Sequence, residues 1–236
     1  GLEFFRKMLD DAGLHGKPII IKAGATHSGR DNAATNKRLH APQTEFEQAE
    51  HLIKRYVYHV ANGVSLILWG DIREDEVAQG TFSHNGLVYN GIPKRGECSP
   101  RDESPCPDPG DGVKKLGYYA LKHLIEKLKG LDFANPQTLS AGKDGVHIYK
   151  FAGPQNRVVW VAWWDYWNGV GTAKNIVLDV GSATSIRMTD ALPREPEGAR
   201  ITPAQYRNSF LQQSVPASGG KATISLGKSP VFVEIR

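Results

Sequence analysis

The hydrophobic period of this sequence changes once, near residues 131–136, and that change limits the folds open to it. Upstream, short continuous apolar runs alternate with helical patterns. Downstream, apolar residues recur at every second position. Residues 2–12 carry Leu2, Phe5, Met8 and Leu9 at helical spacing, with Gly13 as a stop. Lys17-Pro18 opens Ile19-Ile20-Ile21, a β-branched run of the kind buried on both faces of a sheet. Residues 24–43 are polar and read as a long loop. Thr44 followed by Glu47 forms a capping box. The helix it opens is predicted to run to about Asn62, with Phe46, Ala49, Leu52, Ile53, Tyr56, Val57 and Val60 on one face and Gly63 at its end. Val64 to Gly70 reads as a second buried strand. After an irregular stretch from 71 to 112, Asp111 is the expected N-cap of a helix over about 113–129, closed by Gly130. Strand–helix–strand–helix of this composition predicts a parallel α/β arrangement.

The second part predicts a different architecture. Val146, Ile148 and Phe151, then Arg157–Asp165, Asn175–Val180, Ser185–Thr189, Ala222–Leu226 and Val231–Ile235 read as strands separated by turn residues. Many short strands of this kind predict an antiparallel β-sandwich. The expected organisation is therefore α/β plus all-β, divided into 1–133 and 134–236, without internal repeats.

Composition excludes several classes. With 40% hydrophobic and 23% charged residues, the 236-residue chain is globular rather than disordered. Its longest apolar runs fall far short of the ~20 residues of a membrane helix. The net charge of +4 is spread without a basic stripe, so nucleic acid is not an expected partner. The opening residues are not a basic region followed by an apolar stretch, so no signal peptide is legible. They read as the interior of a helix, which suggests a piece of something longer. Cys98 and Cys106 lie close together in a Pro/Asp-rich loop. They suit a local disulfide in a secreted protein, or stand as two free thiols; they do not suit zinc, which takes four ligands. Localisation stays open.

The order of motifs carries a resemblance. Lys17-Pro18-Ile19-Ile20-Ile21, Glu47-Gln48-Ala49-Glu50, Val64 to Trp69, Gly86-Leu87-Val88, Pro93-Lys94 and Gly117-Tyr118-Tyr119-Ala120-Leu121 follow one another as they do at the end of a clan A glycoside hydrolase barrel. The chain is most similar to the family 39 and family 5 type. There, a "KPIxxTExG" strand is barrel strand seven, a "QA" helix follows, strand eight ends in Trp, and a "GL…G.PK…YYAL" stretch leads into helix eight. A C-terminal β-sandwich ending like Ser229-Pro230-Val231-Phe232-Val233-Glu234 is common in the same enzymes. The resemblance implies a partial (β/α)8 barrel end followed by a β-sandwich, carbohydrate as the ligand, and no cofactor or metal.

Two departures qualify the implied chemistry. A retaining glycosidase needs a nucleophilic carboxylate and an acid/base carboxylate about 5–5.5 Å apart. The acid/base Glu of the family, at the end of strand four, has no counterpart in this chain. The nucleophile position falls on Lys22 or Ala23, and neither is a carboxylate. The isolated chain is therefore expected to lack glycosidase activity. Lys22 could instead offer a cation to a sugar hydroxyl or a neighbouring carboxylate, or be a solvated strand end.

Other candidates cluster at the ends of the two expected strands. Trp69 matches the family's sugar platform, and an aromatic face suits the C–H face of a pyranose; a core Trp is the other reading. Asp71, Glu74 and Asp75 could accept hydrogen bonds from sugar hydroxyls or form a solvated loop. His27 is a candidate substrate hydrogen-bonder. Its neighbour Ser28 lacks the G-x-S-x-G context of an esterase. His84, Asn85, Tyr89 and Asn90 could line the same rim or form a polar turn. In the aromatic cluster Trp160, Trp163, Trp164, Tyr166 and Trp167, one strand face is expected in the sandwich core and the other at a seam with the α/β part or on a sugar. Finally, two strands buried on both faces but covered on one side predict association, either as a homo-oligomer or with a chain supplying the missing barrel strands.

Overall fold

A computed structural model describes residues 1–28, 43–75, 84–92, 108–165 and 173–235. Helix α1 (Leu2–Asp11) precedes strand β1 (Ile19–Ile21). Helix α2 (Glu45–Ala61) begins at the expected capping box: the Glu47 amide donates to Thr44 Oγ1 (3.1 Å), and the Thr44 amide donates to Glu47 Oε2 (2.8 Å). Gly63, at φ 78°, takes the left-handed turn after α2 that a side chain disfavours. Strand β2 (Val64–Ile67) then pairs parallel to β1, with Ile20 opposite Leu66 and Ile21 opposite Ile67. Helix α3 is Leu116–Leu128.

Burial on both faces of these strands is not what the structure has. Ile19, Val64 and Ile67 are buried, with Leu2, Leu9, Tyr56 and Val60 of the flanking helices packed against them. On the opposite face, Ile20 is 55% exposed, Leu66 46% and Leu68 45%. The helices lie on one side only, so the other apolar face has no cover among the described residues. Helix α1 likewise buries no side chain outright, and Phe4, Phe5 and Met8 are exposed.

The start of α3 also differs from expectation. Its N-cap is Lys115, which makes no side-chain cap, while Asp111 pairs with Arg73 (2.9 Å). The Leu116 amide instead donates to Glu45 Oε2 (2.8 Å), a carboxylate from the first turn of α2. A helix N-terminus accepts an acidic partner from any element that reaches it.

Residues 137–235 form strands β3 (Gln137–Lys143), β4 (Val146–Ala152), β5 (Val158–Trp164), β6 (Lys174–Asp179), β7 (Ser185–Asp190), β8 (Gln212–Ser218), β9 (Lys221–Leu226) and β10 (Val231–Ile235). They make one eight-stranded antiparallel sheet in the order β3-β4-β5-β10-β7-β8-β9-β6. The hydrogen bonding joins all eight strands into one continuous ladder. Strand β8 pairs with β7 over Gln212–Pro216 and with β9 at Ala217 and Ser218, which carries the ladder from one set of strands to the next.

Both faces of the sheet centre are buried. Tyr149, Phe151, Val159, Val161, Trp163 and Phe232 share a core with Leu52, Ile53, Leu116 and Leu124 of the helices. On the reverse face, Ile148, Trp160, Ala162 and Val233 pack with Leu178, Ile224 and Leu226. The alternation along β5 is that of a central strand. Each large apolar side chain so covered contributes roughly 1.5–3 kcal/mol.

Candidate functional site

The polypeptide leaves the ends of β1 and β2 side by side. The Leu68 amide donates to the Ile21 carbonyl (2.9 Å) and the Gly24 amide to the Leu68 carbonyl (3.1 Å), which extends the pairing beyond both strands. Ligands of parallel α/β folds bind at this C-terminal end. Lys22 and Ala23 are exposed there. Lys22 continues the alternation of Ile20 and so joins the uncovered face. Asp71 is also exposed and sits in the left-handed region at φ 49°, uncommon for a non-glycine residue but tolerated best by Asp and Asn.

Beneath these groups lies a buried polar cluster. Lys115, fully buried at the start of α3, pairs with Glu74 Oε1 and donates to Ser28 Oγ (2.9 Å). His84 Nδ1 is 3.5 Å from the same Glu74 oxygen. The Ser28 amide donates to the His84 carbonyl (3.2 Å), and Asn90 Nδ2 donates to the Glu74 carbonyl (3.2 Å). The Lys115 ammonium also lies 4.8 Å from the centre of the Tyr89 ring. One cation therefore gathers the segment after β1, the segment after β2, and residues 84–90.

Backbone contacts seat this last segment. The Leu87 and Val88 amides both donate to the Ile72 carbonyl (2.8 and 2.9 Å), and the Glu74 amide donates to the Val88 carbonyl (2.9 Å). Gly86 comes so close to the Arg73–Glu74 backbone that any Cβ would overlap it. The Gln48 amide nitrogen reaches the carbonyls of Thr26 (3.0 Å) and His84 (3.2 Å) from α2.

Electrostatics in the cluster follow from burial and pairing. Burial pulls the Glu74 carboxyl up, but the His84 hydrogen bond and the charge and hydrogen bond of Lys115 outweigh it, and the group sits below its ordinary value. Burial pushes the Lys115 ammonium down, with Glu74 opposing. Burial and then the Glu45 carboxylate raise the Tyr89 hydroxyl, which donates to Glu45 Oε1 (2.6 Å). Paired and buried, Glu74 organises loops rather than facing solvent.

The sequence candidates thus fall into distinct places. Lys22, Ala23 and Asp71 lie exposed at the strand ends. His27, Ser28, Glu74, His84, Asn85 and Asn90 are buried together, and not as a surface turn. Trp69 is only 8% exposed and belongs to the core with α2 and α3; its indole N–H donates to the Asn85 carbonyl (2.9 Å) and its ring stacks with Tyr56. Trp163 is at the seam with the helices, while Trp160 and Trp164 face the other core. Cys98, Cys106, Pro93, Lys94, Tyr166 and Trp167 lie outside the described residues. Sequence reasoning missed Lys115, Glu45 and Gln48. Among the described residues, no group of three His, Cys, Asp or Glu side chains is arranged to hold a metal ion, and no helix is long and apolar enough to cross a membrane.

No family model and no curated protein matches the sequence. Solved structures do match its fold. A family 39 glycoside hydrolase from Bacteroides cellulosilyticus superposes with a TM-score of 0.57 at 14% identity, over 100% of this chain and 38% of that one. A family 51 α-L-arabinofuranosidase from Thermotoga petrophila gives 0.58 at 8% identity, over 100% of this chain and 47% of that one. An arabinofuranosidase of family 51 from Xanthomonas axonopodis gives 0.53 at 9% identity, over 100% and 46%. The fold resembles part of that of these glycoside hydrolases. The chain spans less than half the length of each of these structures.

Proposed function

We propose that the chain is a carbohydrate-active protein of glycoside hydrolase type, in which residues 1–133 form the end of a (β/α)8 barrel and residues 134–236 back it as a β-sheet unit. The reading rests above all on a fold likeness to glycoside hydrolases that extends over the whole chain. The sugar-facing groups in this reading are Lys22 and Asp71, exposed at the ends of β1 and β2 where parallel α/β folds bind ligands. Glu74, His27 and Trp69 support that rim from beneath.

The chain binds sugar without cleaving it. Retaining hydrolysis requires a carboxylate to attack the anomeric carbon and a second to protonate the leaving oxygen. The resemblance puts the first of these positions on Lys22 or Ala23, and neither can form a glycosyl ester. Purified chain is expected to release no nitrophenol from aryl glycosides. On a glycan array it is expected to retain ligands that Lys22→Ala and Asp71→Asn weaken; Asn is chosen because it tolerates the left-handed backbone. Turnover unaffected by both substitutions would overturn the assignment of the site. Absence of binding to any glycan would overturn the carbohydrate reading.

A further inference from the structure

We infer that the outer edge of β6 is a self-association surface, on which a second copy of this chain pairs antiparallel about a two-fold axis through Val177. Among the described residues, the eight-stranded sheet has two open edges, β3 and β6. They differ in regularity. The register of β3 against β4 breaks between Thr138 and Ser140 and again between Ala141 and Lys143. Such bulges twist an edge away from further pairing. Strand β6 keeps unbroken register with β9, from Lys174 opposite Leu226 to Asp179 opposite Lys221, and contains no Gly or Pro. Its lysine does not guard the edge: Lys174 Nζ donates to the Asp144 carbonyl (3.3 Å), in the turn between β3 and β4. Val177, at mid-strand, is 60% exposed.

The hydrogen-bond phase of the ladder fixes which groups this edge offers. The Val180 amide donates to the Gly220 carbonyl (2.8 Å), one step beyond the pairing of Asp179 with Lys221. Bonded and non-bonded pairs alternate along an antiparallel ladder. Lys174, Ile176 and Leu178 therefore bond to β9, while the amides and carbonyls of Asn175, Val177 and Asp179 point outward. A second copy centred on Val177 meets them in phase. Val177 exchanges both bonds with its counterpart, and Asn175 exchanges both with Asp179. Side chains agree with this register, because directly opposed residues share a face. On the outer face, where Asn175, Val177 and Asp179 are all exposed, valine meets valine and the Asn175 amide donates to the Asp179 carboxylate. Asp179 Oδ1 accepts from the Gly181 amide (3.0 Å), so Oδ2 is the oxygen presented. On the inner face Ile176 meets Leu178, which extends the core these residues share with Ile224 and Leu226. Moving the axis to Ile176 or Leu178 sets Val177 against Asn175 or Asp179 and loses both matches. A two-fold interface has to be self-complementary, and the register centred on Val177 is. Sugar binding plays no part in this pairing.

The test is light scattering and amide exchange on the whole chain over a concentration series up to about 1 mM. A short edge strand makes a small interface, so a dimer that dissociates on dilution through the micromolar range is expected. As concentration rises, exchange is expected to slow at least about threefold at the Asn175, Val177 and Asp179 amides, and to stay unchanged at the Lys174, Ile176 and Leu178 amides. Val177→Lys sets like charges together at the axis and is expected to weaken the dimer at least about tenfold. Asn175→Asp, which opposes two carboxylates, is expected to weaken it, whereas Asn175→Lys, which faces Asp179 with a cation, is expected to tighten it about threefold or more. Leu139→Lys, exposed on the β3 edge, is expected to leave it unchanged. Thermal melts verify that each variant folds, and the opposite signs at Asn175 separate pairing from misfolding. Three results would overturn the inference: a 25.9 kDa monomer throughout the series, a dimer indifferent to Val177→Lys, or Asn175→Asp and Asn175→Lys acting in the same direction. Glycan binding is scored separately, so loss of the carbohydrate reading and loss of this one are distinct outcomes.

Discussion

Lys115 and Glu74 decide the stability of the strand-end cluster, because neither reaches solvent. Removing one partner of a buried pair leaves an uncompensated charge, whereas replacing both with apolar residues of similar volume is often close to neutral. Lys115→Met is expected to cost about 3–5 kcal/mol, and Lys115→Met with Glu74→Leu to recover most of it. Urea unfolding of the two single variants and the double variant measures the coupling; purely additive losses would refute the pair's role. The pH dependence has a definite sign. The folded-state value of Glu74 is depressed, so its contribution is present above the ordinary carboxylate value of 4.5 and is lost as pH falls through the folded value. The double variant is expected to show a shallower acid slope than the native chain. At this scale the sequence pointed to part of the site. His27 and Glu74 were marked by their position after strands, a rule of topology. Lys115 was not, because its partners Ser28 and Glu74 lie 87 and 41 residues away and a lysine beside a helix start reads as solvated.

Among the elements, α3 carries the clearest titration. His123 is buried between the helix and the sheet, stacked on Phe210 at 3.9 Å and edge-on to Phe232 at 5.3 Å. Burial, and then the nearby Lys127 charge, push its imidazole down to about 3. The unfolded chain takes up this proton near pH 6.5 while the folded chain does not, so stability is full above that value and falls as pH drops from there toward 3. His123→Leu is expected to remove that part of the acid slope; thermal melts between pH 7 and pH 3 read it, and an unchanged slope would sink the assignment. The elements most legible in sequence were those whose apolar pattern matched their period, such as α2 with its capping box and the two-faced strand β5. Strands β3 and β8 were missed for a common reason. Gln137–Lys143 and Gln212–Ser218 bury almost nothing, and the second holds Pro216, so neither shows an alternating pattern. They are held by backbone pairing with better-patterned neighbours. The continuous run Ile19-Ile20-Ile21 suggested burial on both sides, but sequence records what a strand is suited to, not which cover is present.

At the scale of the whole molecule, helix α3 ends at Leu128 and the antiparallel strands begin at Gln137, yet the two parts share one core. Leu52, Ile53, Leu116 and Leu124 pack directly on Tyr149, Phe151, Trp163 and Phe232. Polar contacts fasten the same seam: Lys54 to Asp165 (2.5 Å), Lys127 to Glu234, and the Tyr119 hydroxyl to the Ile201 carbonyl (2.9 Å). Glu45 is the most connected of them. Its Oε2 accepts from the Leu116 amide and from the Gly198 amide (2.8 Å each), while Oε1 accepts from Tyr89, so one carboxylate joins α2, α3, the site loop and a turn of the sheet part. Gly198 fits because a Cβ there would overlap the Lys114–Leu116 backbone. A seam this dense makes the helices and the sheet one cooperative unit. Helical circular dichroism and tryptophan fluorescence, four of whose five sources (Trp160, Trp163, Trp164 and Trp167) lie in the second part of the sequence, are expected to report the same urea midpoint. Glu45→Ala strands three donors, each costing about 1–3 kcal/mol, and is expected to lower both midpoints together by at least about 3 kcal/mol of stability. If the two probes separated in the native chain, or if the substitution moved only the helical signal, the sheet would be an independent folding unit and the shared core would not couple it to the strand-end site.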